Sequence, residues 1–457
     1  MSSKVGNEHL GTDELIPLMT KMAIPSILAQ TVNILYSIID RVYIGHIKGI
    51  GTDALTGVGL TLPIITLISA FSAVVGAGGA PLAAIFLGKR DGKRANQILG
   101  NGIFLLCVFT VVLMLVFYLF QKPLLYAFGA SDNTIVHARL YLSVYLIGTM
   151  MVQLALGLNP FILCEGNAKI GMLTVCAGAV INLVLDPIFI FVFDLKVAGA
   201  AIATVISQTV SAIWILLYLT GKKATFTIQL RYIKPDWDTI KRICGLGISP
   251  FIMRSTESLI SIVMNRGLQM YGGDMYVGSL TIMQSIYQFL YAPISGFTQG
   301  VQPIISYNYG AGKFERVRKT SRYMIITSEI YGLVATIVVI AFPAFWGSLF
   351  TPDVALIALI RRTIPIFFAG TLVFGLQLSI QPVFLATGQA KVSLFIALLR
   401  KVILLVPLAI ILPHFMGVWG IYYAEPISDI LSVVTACTLY LTRINKILSK
   451  ESLEKIV

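Results

Sequence analysis

The sequence predicts an all-α integral membrane protein with twelve transmembrane helices, built from two related units of six. The first observation is compositional: the 457 residues are 57% hydrophobic and 12% charged, with a mean hydropathy of +0.85. That leaves too little polar surface to cover a soluble globule of this size. The second observation is that the chain repeats itself at an interval of about 222 residues, which is typical of a duplicated unit.

The repeat is clearest in two short motifs. Asn159-Pro-Phe161 is followed by Gly166-Asn-Ala-Lys169, and Gln381-Pro-Val383 is followed, at the same spacing, by Gly388-Gln-Ala-Lys391. Weaker matches are Pro25 with Pro250, Asp40 with Asn265, Gly88 with Gly310, and Val197-Ala-Gly199 with Val418-Trp-Gly420. The matches cover most of the chain, so we expect two pseudo-symmetric lobes.

Apolar runs of about 20 residues, the length that crosses a bilayer, define the individual helices. The first unit supplies spans at 16–47, 54–80, 96–120, 135–160, 168–193 and 197–220. The second supplies spans at 240–270, 275–303, 320–346, 355–384, 391–412 and 417–442. The first run is too long for the apolar part of a cleavable signal, so span one is expected to direct its own insertion.

Lysine and arginine distribution sets the orientation, because short loops rich in these residues stay cytoplasmic. They collect in the second, sixth and eighth loops and in the C-terminal tail. Both termini are therefore predicted to be cytoplasmic, in a multi-pass protein of the inner or plasma membrane. The predicted organisation is an N-terminal tail (1–14), an N-lobe (15–220), a linker (221–238), a C-lobe (239–443) and a C-terminal tail (444–457).

Several function classes receive no support from the sequence. The net charge of +13 is spread by loop rather than gathered in a patch, so nucleic-acid binding is not expected. No phosphate-binding G-x-x-x-x-G-K-[ST] motif and no H-E-x-x-H pair occurs, and the five cysteines are scattered within apolar runs. We therefore expect neither an ATP-driven protein nor a metalloenzyme, and no cofactor.

Four polar residues of the first unit are candidates for a cation site. An ionisable group inside the bilayer costs at least about 2.5–3.5 kcal/mol, so each one needs a reason. Asn182 and Asp186 are four residues apart and share one helix face. Asp40 and Thr204 lie at a similar depth, roughly 10 Å from the outer surface at 1.5 Å per residue. Hard oxygens of this kind suit Na⁺, and a desolvated carboxyl suits H⁺.

Two structural interpretations stay open for these residues. Intramembrane Asp and Asn side chains can serve as contacts between helices. Asp40 could also be neutralised by Arg41 or Lys21.

The second unit carries a different set of charges. Arg254 and Glu257, three residues apart, are expected either to pair with each other or to act in substrate binding or coupling. Arg400 and Lys401 lie about ten residues inside span eleven, where they could line a water-filled cavity, and Glu425 of span twelve could pair with them. Pro25 in span one is a candidate hinge, because proline bends helices, although many membrane prolines kink a helix without moving.

These residues together resemble the multidrug and toxic compound extrusion (MATE) family, in particular its DinF-like and MepA-like bacterial branch. The resemblance covers nearly the whole chain. It rests on Asp40-Arg-Val-Tyr-Ile-Gly45, the Gly88 to Arg94 loop, Gly166 to Lys169, Asn182 to Pro187 and Val197 to Ala201.

The resemblance implies two six-helix lobes around a central cavity and export of cationic or amphipathic compounds against inward flow of Na⁺ or H⁺. It also implies that the cation site of the first lobe comprises Asp40, Asn182, Asp186 and Thr204, with a bend at Pro25. Glu257 matches an acid used by other members. The acid that those members carry in helix ten is absent from the stretch Gly375 to Ser379. The expected partners are small organic substrates and lipid, and a monomer is expected.

Two alternatives remain at this point. A flippase for lipid-linked precursors of the same superfamily would share the twelve spans but would favour a strongly cationic cavity. A membrane-embedded prenyl-transferring enzyme would need paired D-x-x-x-D acids, and Asn182 with Asp186 is one acid short of such a pair.

Overall fold

Long helices account for almost all of the protein. A computed structural model describes residues 8–48, 50–128, 130, 132–350 and 353–456, and over these residues it contains helices and loops but no β-strand. In the first half, the long helices are α1 (Leu15–Gly45), α2 (Gly51–Ala73, continuing through Val74–Gly79 and Ala80–Gly88), α3 (Gly92–Ala127), α4 (Thr134–Ile147 and Thr149–Cys164), α5 (Ala168–Pro187 and Ile188–Val192) and α6 (Lys196–Thr220).

The second half repeats this series. Its helices are α7 (Trp237–Gly272), α8 (Asp274–Gly310), α9 (Phe314–Ala341), α10 (Val354–Phe367, then Gly370–Val373 and Phe374–Ala386), α11 (Ala390–Leu398, Leu399–Leu405 and Val406–Ile411) and α12 (Val418–Ile447). Shorter helices cover Glu8–Thr12, Leu230–Tyr232, Pro343–Ser348, Pro413–Met416 and Lys450–Ile456.

The predicted spans correspond one to one with these helices. By length and hydropathy, 8 of the described helices can cross a membrane, or 10 when the bent pairs of α4 and α10 each count as one span. The remaining two, α7 and α8, have 36 and 37 residues and more polar sequences. Several helices begin before the predicted apolar segments because their first turns consist of polar residues. At α3, for example, the Asp91 side chain caps the helix by accepting a hydrogen bond from the Arg94 backbone N–H at 2.9 Å.

Wider π-helical turns interrupt both α5 and α11, each beside a proline but on opposite sides of it. In α5 the turn Ile188–Val192 follows Pro187, and in α11 the turn Leu399–Leu405 comes just before Pro407. Proline removes one helical hydrogen bond, and its ring pushes on the preceding turn, so a local change of pitch beside it is expected. Such turns often lie at functional sites. Here they adjoin the buried polar residues of both lobes.

Both chain termini lie at one end of the helix bundle, which we call the terminal end. Asn308, in the last turn of α8, donates a hydrogen bond from Nδ2 to the backbone oxygen of Leu10 at 2.8 Å. The hydroxyl of the adjacent Tyr309 donates to the backbone oxygen of Ile447 at 3.3 Å. The start of the chain and the end of α12 therefore meet the same loop.

The lobes share a core at the terminal end. One buried apolar cluster contains Leu18 and Met22 of α1 together with Val301 and Ile304 of α8. A second combines α2 to α6 with Ile243 and its neighbours on α7. Helices from both lobes are therefore packed around common apolar cores at this end.

At the opposite end each lobe has its own core. Among the described buried residues, one cluster there runs from Ile44 to Ala201 and belongs to the N-lobe alone. The other runs from Ile260 to Val433 and belongs to the C-lobe alone. The protein is thus closed where its termini lie and divided at the far end.

Glycines allow the close approach of the lobes at the terminal end. A Cβ atom built on Gly310 of α8 would lie 1.8 Å from the backbone oxygen of Ile85, and one built on Gly88 of α2 would lie 2.0 Å from the backbone oxygen of Tyr307. Gly88 and Gly310 are the residues that the sequence repeat aligns with each other. The same position in both copies therefore forms this contact from both sides.

The segment that joins the lobes is anchored by a buried carboxyl group. Glu165, at the end of α4, is fully buried. Its Oε2 accepts hydrogen bonds from the backbone N–H groups of Thr225, at 2.7 Å, and Phe226, at 3.1 Å. Its Oε1 accepts one from Asn167 Nδ2 at 3.1 Å. This network fixes the connecting segment against the N-lobe.

Candidate functional site

The predicted polar residues of the first lobe come together between α1, α5 and α6. Asn182 and Asp186 are each 1% exposed, and Asn182 Nδ2 donates a hydrogen bond to Asp186 Oδ1 at 3.1 Å. The one-turn spacing thus places both side chains on one helix face, as predicted. Asp40, five residues before the end of α1, faces Asp186.

The carboxyl groups of Asp40 and Asp186 lie within hydrogen-bonding range of each other. Asp40 Oδ1 and Asp186 Oδ2 are buried and have no hydrogen-bond donor among the described residues. Two carboxylates this close repel each other unless a proton or a cation lies between their oxygens. We call these two residues the carboxyl pair.

The basic residues near Asp40 in sequence do not neutralise it. Arg41 and Lys21 are both exposed. The ion pairs found among the described residues include no partner for Asp40 within 4.0 Å. The structure therefore does not support the alternative in which Arg41 or Lys21 pairs with this carboxyl group.

Two tyrosines that the sequence analysis did not single out complete the site. The side chain of Tyr36 lies beside that of Gln208 and near both carboxyl groups, and the side chain of Tyr141 lies beside Thr204 and near Asp40. Thr204 donates its hydroxyl proton to the backbone oxygen of Ala200 at 3.0 Å. Tyr36 could have been found from its position one helical turn before Asp40. Tyr141 gave no such signal.

A cavity of about 220 Å³ adjoins this site and extends towards the terminal end. It lies between α1, α2 and α4 to α6 of the N-lobe and α7 and α8 of the C-lobe. Its polar wall residues include Ser26, Gln30, Asn33, Tyr36, Asn159, Gln208, Gln299 and Gln302. Tyr36 and Gln208 belong to this wall while contacting the carboxyl pair region, so they separate the cavity from the pair.

A hydrogen bond crosses the cavity from lobe to lobe. Gln30 Nε2 of α1 donates to Gln299 Oε1 of α8 at 2.9 Å. The contact places uncharged polar groups of both lobes at one level. A molecule in the cavity therefore meets residues of both lobes at once.

In the second lobe the buried charges are paired. Arg400 contacts Asp429 Oδ1 through Nε at 2.6 Å and Glu425 Oε1 through Nη2 at 3.0 Å. Its guanidinium carbon also lies 4.2 Å from the centre of the Phe374 ring. The predicted pairing of Arg400 with Glu425 is confirmed. Asp429 was missed, although it follows Glu425 at the same four-residue spacing as Asn182 and Asp186.

Of the two alternatives given for Arg254 and Glu257, a pairing of these residues with each other is not what the structure shows. Glu257 Oε1 instead accepts Lys401 Nζ at 3.4 Å, and its side chain is 60% exposed. Arg254 has no acidic partner within 4.0 Å among the described ion pairs, is exposed, and lines the cavity. The interpretation failed because a residue three positions away on the same helix competes with residues from other helices, and Lys401 of α11 reaches Glu257.

The candidate hinge Pro25 lies inside α1, and its repeat partner Pro250 lies inside α7. The backbone of the neighbouring residues Ser26 and Ile27 packs against Gly296 of α8. A Cβ atom built on Gly296 would lie 2.6 Å from the Cα atom of Ile27. A bend at Pro25 would therefore act next to the contact between the lobes. Its role as a hinge stays a prediction.

Comparison with known proteins places this arrangement in a family. The MatE family model matches residues 25–188 and 251–411, one segment in each lobe. The multidrug export protein MepA of Staphylococcus aureus (strain N315) is 25% identical over 426 residues, covering 93% of both chains. MepA of Staphylococcus haemolyticus is also 25% identical, covering 92% of this chain and 93% of that protein.

Solved structures share the fold. The outward-facing conformation of a multidrug resistance MATE family transporter superposes with a TM-score of 0.91 at 23% identity, covering 98% of this chain and 100% of that one. A MOP superfamily transporter from Pyrococcus furiosus gives a TM-score of 0.90 at 22% identity over the same shares of the two chains. With the family model matching both lobes, this chain belongs to the MatE family of multi-pass membrane proteins, which are transporters and not enzymes.

Proposed function

We propose that this protein exports amphipathic or cationic organic compounds by alternating access, in exchange for H⁺ or Na⁺. The observation that carries the proposal is the carboxyl pair: Asp40 Oδ1 and Asp186 Oδ2 are buried without a hydrogen-bond donor among the described residues, beside a cavity large enough for an organic molecule. The names of the staphylococcal relatives, multidrug export proteins, point to the same activity.

The residues fit a monovalent cation. Asp40, Asn182 and Asp186 offer hard oxygen ligands, and Thr204 lies close by, beside Tyr141. A proton or Na⁺ between the carboxyl groups removes their repulsion. Tyr36 stands between this site and the cavity, so occupation of one can alter the other through a single side chain.

Movement between two states follows from the division of the core. Closed packing at the terminal end and separate cores at the opposite end describe one state, in which the cavity opens away from the termini. Rocking of the lobes would separate the apolar cluster that they share at the terminal end and would bring the opposite ends of the two lobes into contact. The proposal includes three further points. Both termini face the cytoplasmic side of the cell membrane, the lobes comprise residues 15–220 and 239–443, and the protein works as a monomer.

The coupling ion supplies enough free energy. One charge crossing about 150 mV is worth about 3.5 kcal/mol. At about 1.4 kcal/mol per factor of ten, that supports a gradient of a few hundred-fold for a neutral compound. No further energy source is required.

The lipid-precursor flippase is less well supported. Such a protein would favour a strongly cationic cavity. Among the described wall residues Arg254 is the single charged one, and Arg400 and Lys401 are held by acids of their own lobe.

The proposal is tested by efflux from proteoliposomes. Wild-type protein should expel a fluorescent amphiphile when a pH or Na⁺ gradient is imposed, and Asp40→Asn should abolish gradient-driven efflux without loss of folded protein. Asp194→Asn is a matched control, because Asp194 is exposed and asparagine tolerates its positive φ of 50°. Full efflux by Asp40→Asn would overturn the proposal.

A further inference from the structure

Arg254 gives the cavity a charge that the proposed function does not use. It lies midway along α7, and its side chain is exposed towards the cavity. The other described wall residues are uncharged. A cation in the membrane-spanning part of a protein is costly, and such residues commonly mark a substrate or ion pathway.

The acids near Arg254 are engaged elsewhere. Glu257 on the same helix contacts Lys401 at 3.4 Å, and Glu425 and Asp429 both contact Arg400. The carboxyl pair of the N-lobe lies behind Tyr36, outside the wall. Arg254 therefore presents its guanidinium to the cavity without a negative partner at ion-pair distance among the described residues.

The polar wall near Arg254 adds further hydrogen-bond donors. The Gln302 side-chain nitrogen, on α8, has no hydrogen-bond acceptor among the described residues. The amides of Gln30 and Gln299 use one N–H on their mutual bond, which leaves donors over. A guanidinium together with carboxamide N–H groups is an arrangement that suits a carboxylate or another planar oxyanion.

We propose that the cavity binds amphipathic organic compounds that carry an acidic group, and that Arg254 contacts this group. This inference rests on the proposed function and narrows its substrates. The apolar part of such a compound would lie against wall residues such as Leu156, Met172 and Ile215. A purely cationic compound meets Arg254 and no acidic side chain among the described wall residues, so it binds more weakly.

A matched pair of dyes isolates the acidic group. Rhodamine 6G is a cationic ethyl ester, and its hydrolysed free acid differs only by the exposed carboxylate. Fluorescence anisotropy titration of purified full-length protein should give a Kd for the acid about tenfold lower than for the ester, equivalent to about 1.4 kcal/mol. Arg254→Gln should remove the difference, and Arg254→Lys should keep part of it because the charge remains.

The controls separate this inference from the proposed function. Arg322→Gln removes an exposed arginine of α9 that is not part of the cavity wall and should behave as wild type. Size-exclusion chromatography establishes that each variant is folded. Two outcomes would overturn the role of Arg254. One is that wild-type protein binds the ester more tightly than the acid; the other is that Arg254→Gln still binds the acid more tightly. If wild type still expels the ester under an ion gradient in that case, the proposed function stands. If neither dye binds, this inference and the proposed function are both overturned.

Discussion

The two lobes share a chain trace but treat buried charge in opposite ways. In the N-lobe, two carboxyl groups face each other, and no basic side chain of the described residues forms an ion pair with them. In the C-lobe, Arg400 contacts both Asp429 and Glu425. The buried acids of the C-lobe are therefore neutralised by a basic residue of the same lobe, and those of the N-lobe are not. A duplicated fold can thus keep its architecture while its two copies differ in whether their buried charges are paired within the protein.

The largest expected effect comes from breaking the C-lobe cluster. Arg400→Met should lower the free energy of unfolding by about 3–5 kcal/mol, because it leaves two buried carboxyl groups unpaired. Asp429 is fully buried and Glu425 is 9% exposed, so water cannot replace the lost partner. Thermal unfolding in detergent and the yield of monodisperse protein measure the effect.

Two further variants sharpen that measurement. Arg361→Met, at an exposed arginine of α10, is the matched control and should be near wild type. Combining Arg400→Met with Glu425→Gln and Asp429→Asn should recover much of the loss, since the charges leave together. Equal stability of Arg400→Met and Arg361→Met would show that the cluster does not stabilise the lobe.

The second prediction concerns the N-lobe, where removing a charge should not destabilise. We expect the coupling ion to stabilise wild-type protein by about 2.7 kcal/mol at 100 times its Kd. Asp40→Asn should fold normally but lose this response, because it no longer supplies the carboxylate. Melting temperatures in NaCl, KCl and choline chloride over a range of pH identify the ion: a response to Na⁺ alone indicates Na⁺, and a response to pH alone indicates H⁺. A response retained in Asp40→Asn would place the ion elsewhere.

The third prediction uses the place where the lobes are alike. Gly88→Ala and Gly310→Ala should each cost about 1–3 kcal/mol by overpacking and should separate the lobes at the terminal end. Because the repeat makes the two positions equivalent, we expect similar effects. Gly245→Ala is the control, since nothing lies within 4 Å of a Cβ built there. Spin-label distances between the α2–α3 and α8–α9 loops report the separation, and unchanged distances in both variants would argue that this contact does not hold the closed state.

The sequence predicted the first lobe's polar residues better than the second's. Asp40, Asn182 and Asp186 could be identified because a carboxyl group inside an apolar span is costly and helical spacing fixes which side chains share a face. The twelve helices followed from length and apolarity alone. Spacing, length and apolarity are properties of a single helix, so they can be predicted without knowing how the helices pack.

What the sequence left open depends on contacts between helices. Whether Glu257 pairs with Arg254 or Lys401 depends on how α7 and α11 pack, which no local pattern encodes. Asp429 drew no attention although it lies one turn from Glu425, and the roles of Tyr36 and Tyr141 depend on helices meeting across a cavity. Side chains that act through distant partners could not be assigned from spacing.

The smallest expected effect is at Glu257, an exposed acid of the C-lobe. Glu257→Gln should cost about 1 kcal/mol or less, since its side chain is 60% exposed and solvent screens its contact with Lys401. Gradient-driven efflux should persist, because the residues proposed to couple it are Asp40 and Asp186. Efflux and thermal unfolding of Glu257→Gln, measured beside Asp40→Asn, compare the lobes directly. If Glu257→Gln loses efflux while remaining stable, the C-lobe also takes part in coupling, and the division of roles between the lobes drawn from their buried charges is wrong.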